Sequence, residues 1–123
     1  MHRWRTSRSK SFLNAFRGIW FNLKHEPNFL IQLTVALLVV IGGFIFSLDR
    51  TEWIMVILSI GSVLTAEAMN TAVEKTCDRF MDRHDPLVRR IKDSAAAAVL
   101  IISLSAAVVG ILIFWPHVRE MLT

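Results

Sequence analysis

Hydrophobic and polar positions change pattern four times along the chain. In "SKSFLNAFRGIWFNLKHE", residues 9–26, Phe12, Phe16, Ile19, Trp20 and Leu23 recur at helical spacing, while Lys10, Asn14, Arg17 and Lys24 fill the remainder. This predicts an amphipathic helix in the membrane interface, apolar side toward acyl chains and bases toward phosphates. Ser9 or Ser11 is placed to cap it, and Pro27 ends it. Two later runs, "FLIQLTVALLVVIGGFIFSL" (29–48) and "SAAAAVLIISLSAAVVGILIFW" (94–115), carry no charge, and the second stops at Pro116. Each reaches the roughly 20 residues that a bilayer crossing takes. Between them, Trp53–Ala66 is too short alone, and continuing the helix to Phe80 makes it long enough if its polar residues face inward. The expectation is an all-α membrane protein forming one domain over 1–123, with a surface helix and transmembrane helices over 29–48, 53–80 and 94–115.

Composition agrees with that reading, since 54% of the 123 residues are hydrophobic. The first apolar run is longer than a signal-peptide core and lacks a small-residue cleavage site, so it is expected to stay in the mature chain. Lys and Arg placement sets the expected orientation. Six precede Asn28 (Arg3, Arg5, Arg8, Lys10, Arg17, Lys24) and five lie in the 78–93 connection (Arg79, Arg83, Arg89, Arg90, Lys92). The link "DRTE" (49–52) and the C-terminal tail carry one each. The leader and the second connection are therefore read as cytoplasmic. The net charge of +4 fits this bias and attraction to anionic headgroups. The bases are spread and carry no accompanying aromatic stripe, which disfavours a nucleic-acid partner.

The segment "EAMNTAVEKTCDRF" (67–80) carries the candidate chemistry. At 100° per residue, Glu67, Asn70, Glu74 and Asp78 fall within a wedge of about 80°, whereas Met69, Ala72, Val73 and Thr76 turn elsewhere. Glu67 lies about 21 Å along the helix from Trp53, and Glu74 about 10 Å beyond it. An ionisable side chain at such depth costs roughly 3 kcal/mol or more and usually marks function; a carboxylate there can serve as a proton acceptor. The plainer reading is that the stripe only joins helices, as Asn70 could. Two glutamates fit it poorly, because like charges repel unless a cation or proton joins them. Glu26 at the mouth of the first span, and Lys92 and Asp93 at the start of the third, point to the same zone. One base and several carboxylates at one membrane face suit Mg²⁺ with a polyphosphate, the lysine offsetting phosphate charge.

Absent motifs narrow the reading. Neither a G-x-x-x-x-G-K-[ST] loop nor a G-x-G-x-x-G turn occurs. His2, His25, His84 and His117 show no zinc spacing, and Cys77, the single cysteine, is read as a packing residue. Ser103, Ala107 and Gly110 share a face that permits close helix approach.

The block E-x-x-N-(T/S)-A-(V/I)-E-x-x-x-D, here Glu67–Asp78, followed by "KDSAAAAVLI" (92–101), resembles the bacterial integral-membrane diacylglycerol kinases, which include the undecaprenol kinases. The similarity extends back through "KSFLNAFRGIW" and "HEPNF" and covers nearly the whole chain. The resemblance implies a homotrimer of three-span subunits with composite sites near the cytoplasmic interface. It also implies transfer of the ATP γ-phosphate to the hydroxyl of a membrane lipid. By position, Glu67 would take the hydroxyl proton and Asn70 would orient the reacting groups. Glu26 and Glu74 would bind the Mg²⁺ that bridges the ATP phosphates, and Lys92 would contact them. Asp78, Asp93 and the Arg83, His84, Asp85 connection would lie along the nucleotide, with Asn14 on the surface helix. The lipid would meet Glu67, Trp20, Asn28 and Ala96. Two positions depart from the family pattern: Asn14 stands where a tyrosine is common, and Ser7, beside Arg8, where an arginine is expected. "EPNF" and "HDPLVRRIKD" look closer to the undecaprenol branch. The rival reading is a small oligomeric transporter in which Glu67 carries protons; it gives no reason for Glu26, Glu74, Lys92 and Asp93. A non-catalytic assembly subunit, using the stripe for helix association, is a third.

Overall fold

The computed structural model describes residues 8–123, and His2, Arg3, Arg5 and Ser7 lie outside them. The described chain folds into α1 (Arg8–His25), α2 (Pro27–Ile45), α3 (Arg50–Phe80) and α4 (Pro86–Leu122). Three of these, α2, α3 and α4, are long and apolar enough to cross a membrane. Ser9 and Ser11 lie inside α1, so neither sits at a cap position ahead of it. Glu26, expected as the last residue of the first helix, is instead the break between α1 and α2, in extended backbone at φ −115° and ψ 103°. Pro27 explains this. Its ring disfavours helical backbone in the residue before it, while its own fixed φ suits the first helical position.

The first span ends three residues earlier than its apolar run, because Phe46–Leu48 form a turn. Ser47 adopts a left-handed φ of 53°, its N–H reaches Phe44 O at 3.3 Å, and Leu48 N–H reaches Gly43 O at 3.1 Å. This paired arrangement is a Schellman closure, with serine where glycine is usual. Asp49 then starts α3 earlier than expected. Its carboxylate accepts from Glu52 N at 2.8 Å, and its own N–H donates to Glu52 Oε1 at 3.1 Å, a capping box that satisfies two N-terminal donors at once. Residues 46–49 therefore join α2 to α3 in a tight hairpin.

At the other end of the bundle, the link after α3 ends in a second cap. Asp85 accepts from Leu87 N at 2.9 Å, and Pro86 occupies the opening position of α4. The helix therefore starts well before the apolar run at Ser94. Nor does it stop at Pro116; it continues to Leu122. A proline inside a helix leaves the carbonyl four residues back without its usual donor. Here the residue after the proline is held from outside, His117 Nε2 lying 2.9 Å from Glu52 Oε2.

α3 is the central helix and packs against α1, α2 and α4. The best-buried apolar cluster, Leu48, Val56 and Ile113, sits at the hairpin end with Phe46, Trp53 and Phe114 around it. Elsewhere large apolar side chains face outward, and only 6% of the most apolar window of α4 is buried within the chain. Such a surface needs acyl chains or further protein against it. The protein is a multi-pass membrane protein.

Gly43 decides how closely the hairpin closes. A Cβ there would lie 2.6 Å from the Trp53 ring and 3.1 Å from Leu48, and the ring is braced by Phe44 at 4.9 Å. Gly43→Ala is therefore expected to destabilise the folded chain by about 1–3 kcal/mol, despite alanine's helix preference of about 1 kcal/mol. Gly61→Ala, with open space at that position, should cause no loss. Unfolding of both variants in detergent micelles checks the contrast.

Candidate functional site

The polar residues of α3 form one row whose exposure increases toward the helix's C-terminal end. Glu67 is buried at 6% exposure with Thr71 beside it, Asn70 and Glu74 are half-buried, and Asp78 is exposed. The grading follows from the neighbours. α2 covers Glu67, where the Gln32 side chain meets the carboxylate, whereas the last turns of α3 extend past the apolar packing. Glu74 and Glu26 are both close enough to act electrostatically on Glu67. The break at Glu26–Pro27 thus turns a third carboxylate toward the two on α3.

Several buried oxygens in this region lack hydrogen bonds. Asn70 donates from Nδ2 to Glu74 Oε1 at 3.4 Å, which leaves Asn70 Oδ1 buried and unpaired. Asn22 donates to Gly18 O at 2.8 Å, and its Oδ1 is unpaired as well. Glu26 Oε1 has Lys75 Nζ 3.2 Å away. That contact supplies charge without hydrogen-bond geometry, so this oxygen too is unsatisfied. Buried polar atoms are nearly always partnered in folded proteins, and unpaired oxygens beside three carboxylates form an environment suited to a hard cation or a hydroxyl donor. Among the described residues, no three His, Cys, Asp or Glu side chains converge closely enough to enclose a metal ion by themselves. A Mg²⁺ ion bound mainly through substrate phosphates needs only one or two carboxylates, and the donor set fits that mode.

One helical turn further along α3 lies a cavity of about 360 Å³ walled by Cys77, Asp78, Arg83, Val88, Arg89 and Lys92. Lys92 Nζ pairs with Asp78 Oδ1 at 2.9 Å, which fixes the ammonium at the cavity wall. Asp93 turns outward to Arg89 at 3.3 Å, in a largely solvated pair. His84 N donates to Asp82 Oδ1 at 2.9 Å, and Asp85 is occupied as the cap of α4. Of the residues singled out from sequence, Glu26, Glu67, Asn70 and Glu74 therefore gather in one group, and Asp78, Arg83 and Lys92 in a second. Asn14, Trp20, Asn28, His84, Asp85 and Ala96 are exposed on the single chain and join neither group through a hydrogen bond or ion pair; Asp93, also exposed, meets the second only through Arg89 on the cavity wall.

Sequence reasoning missed four participants: Gln32, Asn22, Lys75 and Arg89. Lys75 lies off the acidic row, and helix periodicity gives no sign of its contact with Glu26. Gln32 is the longest polar side chain in the first turns of a largely apolar span, and that was a usable signal. Cys77 is buried at 2% exposure and lines the cavity as well as packing.

Comparison with known proteins gives these groups a context. The family model "Prokaryotic diacylglycerol kinase" matches residues 13–114, which include every residue of both groups. The chain is 41% identical over 107 residues to an undecaprenol kinase of Bacillus subtilis (strain 168), covering 87% of each protein. It is 30% identical over 103 residues to a diacylglycerol kinase of Escherichia coli (strain K12), covering 84% of this chain and 82% of that one. A diacylglycerol kinase of Synechocystis is 26% identical over 113 residues. These relatives are kinases, and the transporter reading finds no support among them. The chain belongs to the prokaryotic diacylglycerol kinase family.

Proposed function

We propose that this protein transfers the γ-phosphoryl group of ATP to the hydroxyl of a membrane lipid, with undecaprenol as the favoured acceptor. The observation that carries the reading is the burial of Glu67 on a membrane-spanning helix within reach of two further carboxylates. Glu67 takes the hydroxyl proton, the freed oxygen attacks the γ-phosphorus, and ADP leaves. Asn70, bonded to Glu74, holds that carboxylate in place and offers an unpaired oxygen to the reacting groups. Lys92 and Arg83, on the cavity wall beside Asp78, meet phosphate charge, and Arg89 adds to it. Glu26 and Glu74 would hold Mg²⁺, which when bound neutralises charge on the phosphates.

The remaining roles rest on the family resemblance: Asn14, His84, Asp85 and Asp93 would lie along the nucleotide, while Trp20, Asn28 and Ala96 would face the lipid. A groove of about 210 Å³ runs from Gln32, next to Glu67, along Ala36, Ser59, Val63 and Ala107; it offers an apolar bed for a lipid chain at the depth of the base. Phe12, Phe16 and Trp20 are exposed on α1 at 71%, 67% and 66%, which suits a helix lying in the headgroup layer. The lysine and arginine bias favours a cytoplasmic N-terminus, and the bacterial relatives favour the inner membrane as the location. The outward apolar faces of α2 and α4 suit assembly as a homotrimer. The greater identity to the undecaprenol kinase than to the diacylglycerol kinases favours the polyprenol.

Purified protein in mixed micelles with MgATP should phosphorylate a lipid alcohol. Glu67→Gln should lower kcat by at least about 100-fold, the usual scale for losing a general base, while nucleotide binding persists. A variant with wild-type turnover would remove Glu67 from the chemistry. In the same assay undecaprenol should show the higher kcat/KM and diacylglycerol the lower; the reverse order would reassign the acceptor.

A further inference from the structure

Glu26 presents an asymmetric ion pair. Its carboxylate is mostly enclosed, at 17% side-chain exposure, whereas the Lys75 partner is 60% exposed. The ammonium therefore approaches a sheltered acid from the open side, 3.2 Å from Oε1, without completing a hydrogen bond there. An ion pair so solvated is weak and exchanges readily. It nevertheless offsets one negative charge where Glu26, Glu67 and Glu74 crowd together. It also ties the α1–α2 break to α3.

We infer that Lys75 is a resident counter-ion for the divalent-metal position, offsetting the charge of Glu26 until Mg²⁺ displaces the ammonium. The inference rests on the assignment of Glu26 and Glu74 to the metal. Lys75 is a positioning residue here, since it touches the carboxylate and not the reacting atoms. Two opposing effects of losing its charge can be separated. Competition and local charge favour tighter metal binding once the ammonium is gone. A purely structural strut would act the other way, letting Glu26 swing free and weakening the site.

The test uses full-length protein in lipid nanodiscs with an equimolar non-hydrolysable ATP analogue, titrated with Mn²⁺ and read from the EPR signal of the protein-bound ion. Lys75→Met keeps the length of the stem and removes the charge. It should bind Mn²⁺ roughly two- to five-fold more tightly than wild type, the scale of a solvated ion pair. Lys75→Arg should restore wild-type affinity, and Lys75→Met should have no effect when combined with Glu26→Gln. Unchanged or weaker binding by Lys75→Met would overturn the inference, as would tighter binding that persists without the Glu26 carboxylate. Absence of Mn²⁺ binding in wild type would also overturn it. Lipid phosphorylation is measured separately with MgATP, so loss of the counter-ion role and loss of the kinase reading give different results.

Discussion

A carboxylate removed from water must find a compensating partner, and the arrangement of this chain follows from how it does so for Glu67. Hydrocarbon offers none, so Glu67 can be buried only where protein covers it. α2 provides that cover through Gln32. α3 accordingly becomes the helix that all the others pack against, and the break at Pro27 returns a polar residue, Glu26, to the same place. The two ends of the bundle are built differently as a result. The hairpin end is capped, apolar and closed. The opposite end keeps unpaired oxygens, the Lys75–Glu26 ion pair and a polar recess lined by Lys92 and Arg83.

Much of this was legible in the sequence, for reasons particular residues make plain. The spans stood out because 29–48 and 94–115 are uncharged throughout, and the acidic row stood out because Glu67, Asn70, Glu74 and Asp78 share one helical face. Helix periodicity is a local property and survives folding. Boundaries were less legible. Asp49 and Glu52 satisfy a capping box inside what looked like a polar link, and Leu48 belongs to a turn although it continues an apolar run. Pro116 looked like a stop signal, yet α4 passes through it, because membrane helices can tolerate the loss of one backbone bond.

The contacts that were not legible join distant elements. Lys75 with Glu26, Gln32 with Glu67 and Lys92 with Asp78 each depend on the rotation of one helix against another, which periodicity does not fix. Sequence reasoning placed Lys92 near phosphates and Glu26 near the mouth of the bundle. It had no means of finding that each already has an oppositely charged neighbour. Of the two groups, the one around Glu67 is the more self-contained. The second is one wall of a recess, and several residues assigned to nucleotide or lipid stand exposed on the single chain.

The lengths of the helices carry one more consequence. α3 has 31 residues and so spans roughly 46 Å, against a hydrocarbon slab of about 30 Å. Trp53 at its hairpin end and the exposed Trp115 are suited to anchoring that end at one interface. The immersion of Glu67 is then set by how far the opposite leaflet rises along the helix. A few ångströms of thickening would submerge the acidic row and a few of thinning would wet it, so hydrophobic mismatch makes the composition of the host membrane part of the acid's surroundings.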